Sequence, residues 1–145
     1  MMNQENLKEC LFKEINLIQD VIKRMASNSS MMKGWAITLV VVTLLLKGSI
    51  YQVFISFIPL LSFWVLDAYF LRQERMYRKL YDWVITNRLK SNEYLFNMNA
   101  YRFKEEVQST CRTMFSITLA WFYGLVSILI IAYSVCLLIF DKKGV

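Results

Sequence analysis

Residues 114–140 read MFSITLAWFYGLVSILIIAYSVCLLIF, a run of 27 residues without a single charge. At about 1.5 Å of rise per helical residue it exceeds the roughly 30 Å hydrocarbon core of a bilayer, so it spans with tilt to spare. In lipid the backbone must satisfy its own hydrogen bonds, and a single apolar segment does that as a helix. The rest of the composition agrees. Hydrophobic residues make up 57 % of the 145-residue chain, with 4 Gly and 1 Pro. The apolar residues gather in blocks, the pattern of membrane spans.

Two more apolar runs precede this one. MMKGWAITLVVVTLLL (31–46) is short, reaching about 24 Å as a helix. Lys33 can snorkel and Trp35 can sit at the interface, which makes a thin crossing feasible. KGS (47–49) then reads as a tight turn. The next element is apolar over 50–66, with Pro59 expected to kink it. The stretch FWVLDAYFLRQERMYRKLYDWV (63–84) leaves this run with no Gly or Pro to mark a boundary. One helix is therefore expected to continue from lipid into water to about Leu89. Glu74–Arg78 and Arg78–Asp82 are i,i+4 pairs along it. Residues 87–110 look more broken, with a turn near 91–92 and a shorter helix from about Glu93.

Upstream, residues 5–26 form an amphipathic helix on a narrow stripe of Leu7, Leu11, Ile15, Ile18, Ile22 and Met25. The near-heptad spacing suits a partner helix, which makes Leu11, Ile15, Ile18 and Ile22 candidate oligomer contacts. A membrane-surface helix is the rival, but Glu5, Glu9, Glu14 and Asp20 make the polar face too acidic for it. SNSS (27–30) is expected to end this helix and cap the next.

The predicted fold class is an all-α integral membrane protein with an N-terminal amphipathic helix, three transmembrane helices and a cytoplasmic helical segment continuing from the second span. Its parts are 1–30 (amphipathic helix), 31–66 (hairpin with spans 31–46 and 50–66), 67–113 (basic and aromatic segment), 114–140 (third span) and 141–145 (tail). Lys and Arg number five up to and including Lys33 at the start of the first span, one in the turn (Lys47), nine between the second and third spans and two in the tail. The positive-inside rule places 1–33 and 67–113 in the cytoplasm and leaves the C-terminus outside, with Lys142 and Lys143 in mild disagreement. The N-terminus lacks the basic region and early apolar core of a signal peptide.

Enzyme chemistry finds little to work with. Histidine is absent, and Cys10, Cys111 and Cys136 have no metal-ligand spacing. No phosphate loop, nucleophile elbow or Cys/His cluster is present, so no catalytic residue, metal or cofactor is assigned.

The chemistry that stands out is cationic. Arg72, Arg75, Arg78, Lys79, Arg88, Lys90, Arg102, Lys104 and Arg112 lie among Tyr77, Tyr81, Trp83, Tyr94, Phe96, Tyr101 and Phe103. Charges for phosphates and rings for bases are what single-stranded nucleic acid needs. Arg72, Arg75, Arg78, Lys79, Tyr77, Tyr81, Arg88 and Lys90 are the candidate polyanion site. The plain alternative is positive-inside bias with helix salt bridges. In the spans, Gln52, Ser56 and Ser62 on one side, and Ser116, Ser127 and Ser134 on another, line a pore or pack helices. Ser116, Ala120 and Gly124 form a small-xxx-small ridge for close helix approach, with Ala120 and Gly124 as oligomer contacts. Asp67, an acid just inside an apolar run, calls for a pathway or for a partner such as Lys33 or Arg72.

KGWAITL (33–39), followed by FWVLDAYFLRQERMYRKLYDWV (63–84), resembles small bacterial membrane effectors of nucleotide-signal antiphage defence, the Hailong effectors in particular. The resemblance covers roughly the first 90 residues, with the second motif as its specific part; the third span is similar only in character. It implies a homo-oligomeric ion channel, a tetramer, in the inner membrane. A partner nucleotidyltransferase would make short single-stranded DNA oligomers that bind the cytoplasmic part and hold the channel closed. Loss of the oligomer during infection would open it and depolarise the cell. The residues alone also fit another class, a non-conducting membrane adaptor that recruits a soluble partner through its N-terminal helix.

The charge asymmetry makes a direct prediction. A reporter fused after Val145 should read extracytoplasmic, and one inserted at Ser91 cytoplasmic. A Ser91 reporter outside the cytoplasm would contradict the orientation.

Overall fold

A computed structural model describes residues 4–45, 51–91 and 93–142. Its elements are α1 (Gln4–Leu45), α2 (Tyr51–Asn87), a 3-10 turn (Ala100–Phe103), α3 (Thr110–Met114) and α4 (Ile117–Lys142). The fold is all-helical. Three of its helices, Glu5–Leu45, Val53–Asn87 and Ile117–Ile139, are long and apolar enough to cross a membrane. The expected turn at 47–49, with Lys47, lies outside the described residues.

The continuation of the second span is as expected, since α2 runs unbroken through Pro59 and Asp67 to Asn87. α1 departs from expectation. It passes through SNSS without a break, as a single helix of 42 residues. The reason lies in Ser29. Its hydroxyl donates to the Asp67 carboxylate, so it does not compete for the backbone as a helix-ending serine would. The shorter helix expected from Glu93 is also absent. Residues 93–96 form a turn in which Tyr94 (φ 57°) and Phe96 (φ 55°) adopt the left-handed conformation, which ends any helix there.

The chain divides into two compact units. Unit 1 combines Met1–Asn28 with Phe70–Ser109. Its core is Ile18 from α1, Met76, Leu80 and Val84 from α2, and Ala100 from the 3-10 turn. Leu11 and Ile22 pack against this core, and Ile15 is half-buried on the same stripe. The N-terminal stripe therefore meets a helix of its own chain. This corrects the expectation that Leu11, Ile15, Ile18 and Ile22 contact another subunit. A narrow 4-and-3 spacing asks for one partner helix, and α2 supplies it with Met76, Leu80 and Val84 at intervals of four.

Unit 2 combines Ser29–Tyr69 with Thr110–Val145. Its buried residues include Ala36, Val40, Val53, Leu60, Ala68, Leu119, Tyr123 and Ile130. Around them stand large apolar side chains facing outward, such as Ile117 (80 % exposed) and Trp121 (76 %). An exterior of that kind suits hydrocarbon better than water. Five hydroxyls within the apolar stretches close onto their own helices. Thr38 donates to Gly34 O (3.0 Å), Thr43 to Leu39 O (2.7 Å), Ser56 to Val53 O (2.7 Å), Ser62 to Ile58 O (2.8 Å) and Ser127 to Tyr123 O (2.8 Å). Each hydroxyl is thus satisfied without a partner from another helix.

Candidate functional site

The deepest polar feature of unit 1 is an ion pair between Glu14 and Arg88, 2 % and 0 % exposed. Both continue an apolar series. Leu7, Leu11, Glu14 and Ile18 follow 4, 3, 4 spacing on α1, and Arg88 is the next position after Met76, Leu80 and Val84. Each charge is carried into the interior by the face it sits on. A carboxylate and a guanidinium interrupting two facing stripes is the sequence signal that identifies this pair.

Arg88 spends all five of its N–H donors. Nε donates to Glu14 Oε2, and Nη2 to Glu14 Oε1 at 2.9 Å. The remaining bonds go to backbone carbonyls: Nη1 to Ser91 (3.2 Å) and Glu93 (2.7 Å), Nη2 to Tyr94 (3.1 Å). Glu14 Oε1 also accepts the Phe96 N–H at 2.6 Å. Together they fix the 93–96 turn by its backbone, tie Ser91 to it, and hold the left-handed Tyr94 and Phe96 in place. A ligand therefore finds no free donor on Arg88, which removes it from the polyanion set proposed from sequence. Tyr77 and Tyr81 leave that set as free stacking rings for a similar reason: both are half-buried against the core of unit 1. Lys90 stays exposed in the turn that follows α2.

The other predicted cations come together. Arg75, Arg78 and Lys79 line a groove of about 310 Å³ with Asp82, Glu106, Val107 and Gln108. Arg78 is held by Glu74 at 2.7 Å. Arg75 reaches Gln108 Oε1 only at 3.5 Å, and Lys79 meets Glu106 at 3.6 Å with both side chains about half exposed. Exposed pairs of this kind contribute only about 0–1 kcal/mol, so an incoming anion displaces them at little cost. Arg72 stands beside the groove and donates from Nε to Gln108 O at 3.1 Å.

A second groove, of about 350 Å³, adjoins this one and shares Glu106 with it. Its lining includes Trp83, Tyr94, Asn97, Asn99, Arg102 and Phe103. The Arg102 guanidinium lies 4.1 Å from the Trp83 ring, 4.8 Å from Phe103 and 5.0 Å from Tyr94. Its Nε and Nη2 are buried without a hydrogen-bond partner. Burial lowers its proton affinity from the ordinary arginine value, with nearby Tyr94, Glu14 and Glu93 acting the other way. The rings hold the charge by cation–π attraction. This groove was legible only as scattered rings, because the turn that assembles it is set by Glu14, about eighty residues upstream of Tyr94.

In unit 2, Asp67 is fully buried and does have a partner. Lys33 Nζ lies 2.7 Å from Asp67 Oδ2 and 3.0 Å from Ser29 Oγ. The Tyr123 hydroxyl sits 3.2 Å from both Asp67 Oδ2 and Phe63 O. Of the two partners named from sequence, Lys33 takes the role, while Arg72 turns to Gln108. α1, α2 and α4 are tied together at this point, and Trp64 reinforces it by stacking on Tyr123 at 5.5 Å and donating to Met114 O at 3.0 Å.

The serine stripes do not assemble into an open polar lining. Ser56 is fully buried on its own carbonyl, Ser62 and Ser127 bond their own helices, Ser116 Oγ is buried without a partner, and Ser134 is half-buried. The Gln52 side chain lies outside those described. On α4, Ala120 and Gly124 line an apolar groove with Phe115, Ile117, Trp121, Leu125 and Ile128. Nothing lies within 4 Å of where a Gly124 Cβ would stand. Among the described residues no group of His, Cys, Asp and Glu could hold a metal ion.

Comparison with known protein families, with curated proteins and with solved structures finds no match for this chain.

Breaking the buried pair should be expensive. Arg88→Met leaves Glu14 buried and unpaired, and is expected to cost about 3–5 kcal/mol. Adding Glu14→Leu should recover part of that loss. Thermal unfolding in detergent measures both; a double variant no more stable than Arg88→Met would contradict the pairing.

Proposed function

We propose that the protein is a subunit of an oligomeric ion channel of bacterial antiphage defence, gated by a nucleotide or single-stranded oligonucleotide that binds its cytoplasmic unit. The observation that carries this reading is the convergence of Arg75, Arg78 and Lys79 on one groove in which Arg75 and Lys79 are weakly held and Arg78 is paired with Glu74. The resemblance of 33–39 and 63–84 to nucleotide-signal effectors points the same way. In this reading the N-terminus and unit 1 face the cytoplasm of the inner membrane, and opening depolarises the cell. The signal is a DNA oligomer supplied by a partner nucleotidyltransferase.

One chain with three spans cannot enclose a conduit, so conduction needs several copies, a tetramer by resemblance. With the N-terminal stripe engaged by α2, one surface that remains open to a neighbouring subunit is the Ala120–Gly124 face of α4. The same engagement leaves the adaptor reading only the remaining faces of the N-terminal helix for recruiting a soluble partner. A bound polyanion shifts gating only by its differential affinity for the two states, so its contacts must differ between them.

Arg75→Glu with Arg78→Glu should abolish oligonucleotide binding, which in the unaltered protein should fall steeply with salt. In a ligand-inhibited channel the same change should raise toxicity on expression. Gly124→Leu should weaken assembly in detergent. Salt-insensitive or absent binding by a monodisperse wild-type monomer would sink the proposal.

A further inference from the structure

Helices α1 and α2 each belong to both compact units and run without a break, whereas α4 lies wholly in unit 2. A change in unit 1 therefore enters unit 2 along α1 and α2, and α4 is the span they move against. Its tie to them is distinctive. Tyr123 is fully buried, and its hydroxyl lies 3.2 Å from both Asp67 Oδ2 and Phe63 O on α2. Asp67 has two other partners, Lys33 Nζ at 2.7 Å and the Ser29 hydroxyl, and both come from α1. The carboxylate thus stays neutralised and hydrogen-bonded if α4 moves away. The bond to α4 is the one it can lose.

The entry to α4 is the second observation. The helical ladder is interrupted at Phe115 and Ser116, where the Ser116 N–H reaches back three residues to Thr113 O at 2.9 Å. A serine just before a helix ordinarily caps its first turn. Ser116 Oγ does not; it is buried without a hydrogen-bond partner, and so is Oγ1 of the fully buried Thr113. Buried hydroxyls without partners disfavour the arrangement that holds them, and the penalty ends when they reach water or an acceptor. They stand at the ends of two helices, where hinges form.

Building on the channel reading above, we propose that α4 is the gating span, that the break at Phe115–Ser116 is its hinge, and that the Tyr123 hydroxyl bonded to Asp67 is the catch that holds it shut. The arrangement described is the shut one, because Asp67 and Tyr123 are buried and Ser56, Ser62 and Ser127 close onto their own helices. The catch favours this state, and the hydroxyls of Thr113 and Ser116 oppose it. Opposed terms of similar size make an element bistable, so a ligand on unit 1 with a modest preference decides between the states.

The test uses the full chain in sealed vesicles with a potassium gradient. A random-sequence pool of short single-stranded DNA is titrated on the side that exposes unit 1. Tyr123→Phe keeps the ring stacked on Trp64 and removes the catch, so half suppression of the current should need about tenfold more DNA. Thr113→Val removes one opposing hydroxyl at nearly constant shape, so half suppression should need about fivefold less. Shifts of opposite sign separate a gating role from plain loss of stability, which would move both variants the same way. Any other pair of shifts, in vesicles whose current DNA still suppresses, would overturn the hinge and catch and leave the channel reading intact. Wild-type vesicles that pass no current, or a current that DNA leaves untouched, would overturn both.

Discussion

The Glu14–Arg88 ion pair is the constraint on which unit 1 depends. It sits where two apolar stripes face each other, so it fixes the register of α1 against α2 as well as satisfying itself. A buried charge pair contributes little net stability against an apolar replacement, but removing one partner is severe. Its value here is positional. Arg88 gathers the carbonyls of Ser91, Glu93 and Tyr94, and Glu14 takes the Phe96 N–H. The turn that carries the exposed Tyr94 ring is thereby attached to the helix core. Both grooves of unit 1 share Glu106, on the segment that follows this turn.

Unit 2 uses the same device with different chemistry. Asp67, buried in an apolar surrounding, is neutralised by Lys33 and also bonded by Ser29 and Tyr123. An isolated carboxylate in such a place would be untenable, and three helices contribute to preventing it. Several other polar side chains of the apolar stretches, such as Ser56 and Ser127, bond their own helices. The outward face of α4 is left with rings and aliphatic chains around a shallow strip at Ala120 and Gly124.

Much of the helical plan is legible in the sequence because hydrophobic length is a strong signal. The charge-free run after residue 113 and the absence of a breaker between Phe63 and Val84 both find their helices. Residue propensity misleads at SNSS, where Ser29 spends its hydroxyl on Asp67 and α1 continues. The stripe Leu11–Ile15–Ile18–Ile22 correctly signals a partner helix but cannot say whose. Arg88 is indistinguishable in composition from Arg75; only its register with Met76, Leu80 and Val84 marks it as interior. The aromatic groove depends on a contact across about eighty residues and two left-handed residues, which no local pattern encodes.

The central claim is a conducting oligomer restrained by an anion on unit 1, and ion flux tests it most directly. Purified protein in sealed vesicles with a potassium gradient should pass a current, measured by a potential-sensitive dye. Single-stranded DNA added on the side that exposes unit 1 should suppress that current, and Arg75→Glu with Arg78→Glu should make it insensitive to the DNA. Vesicles that hold their gradient with and without DNA, while containing correctly inserted protein, would contradict the account.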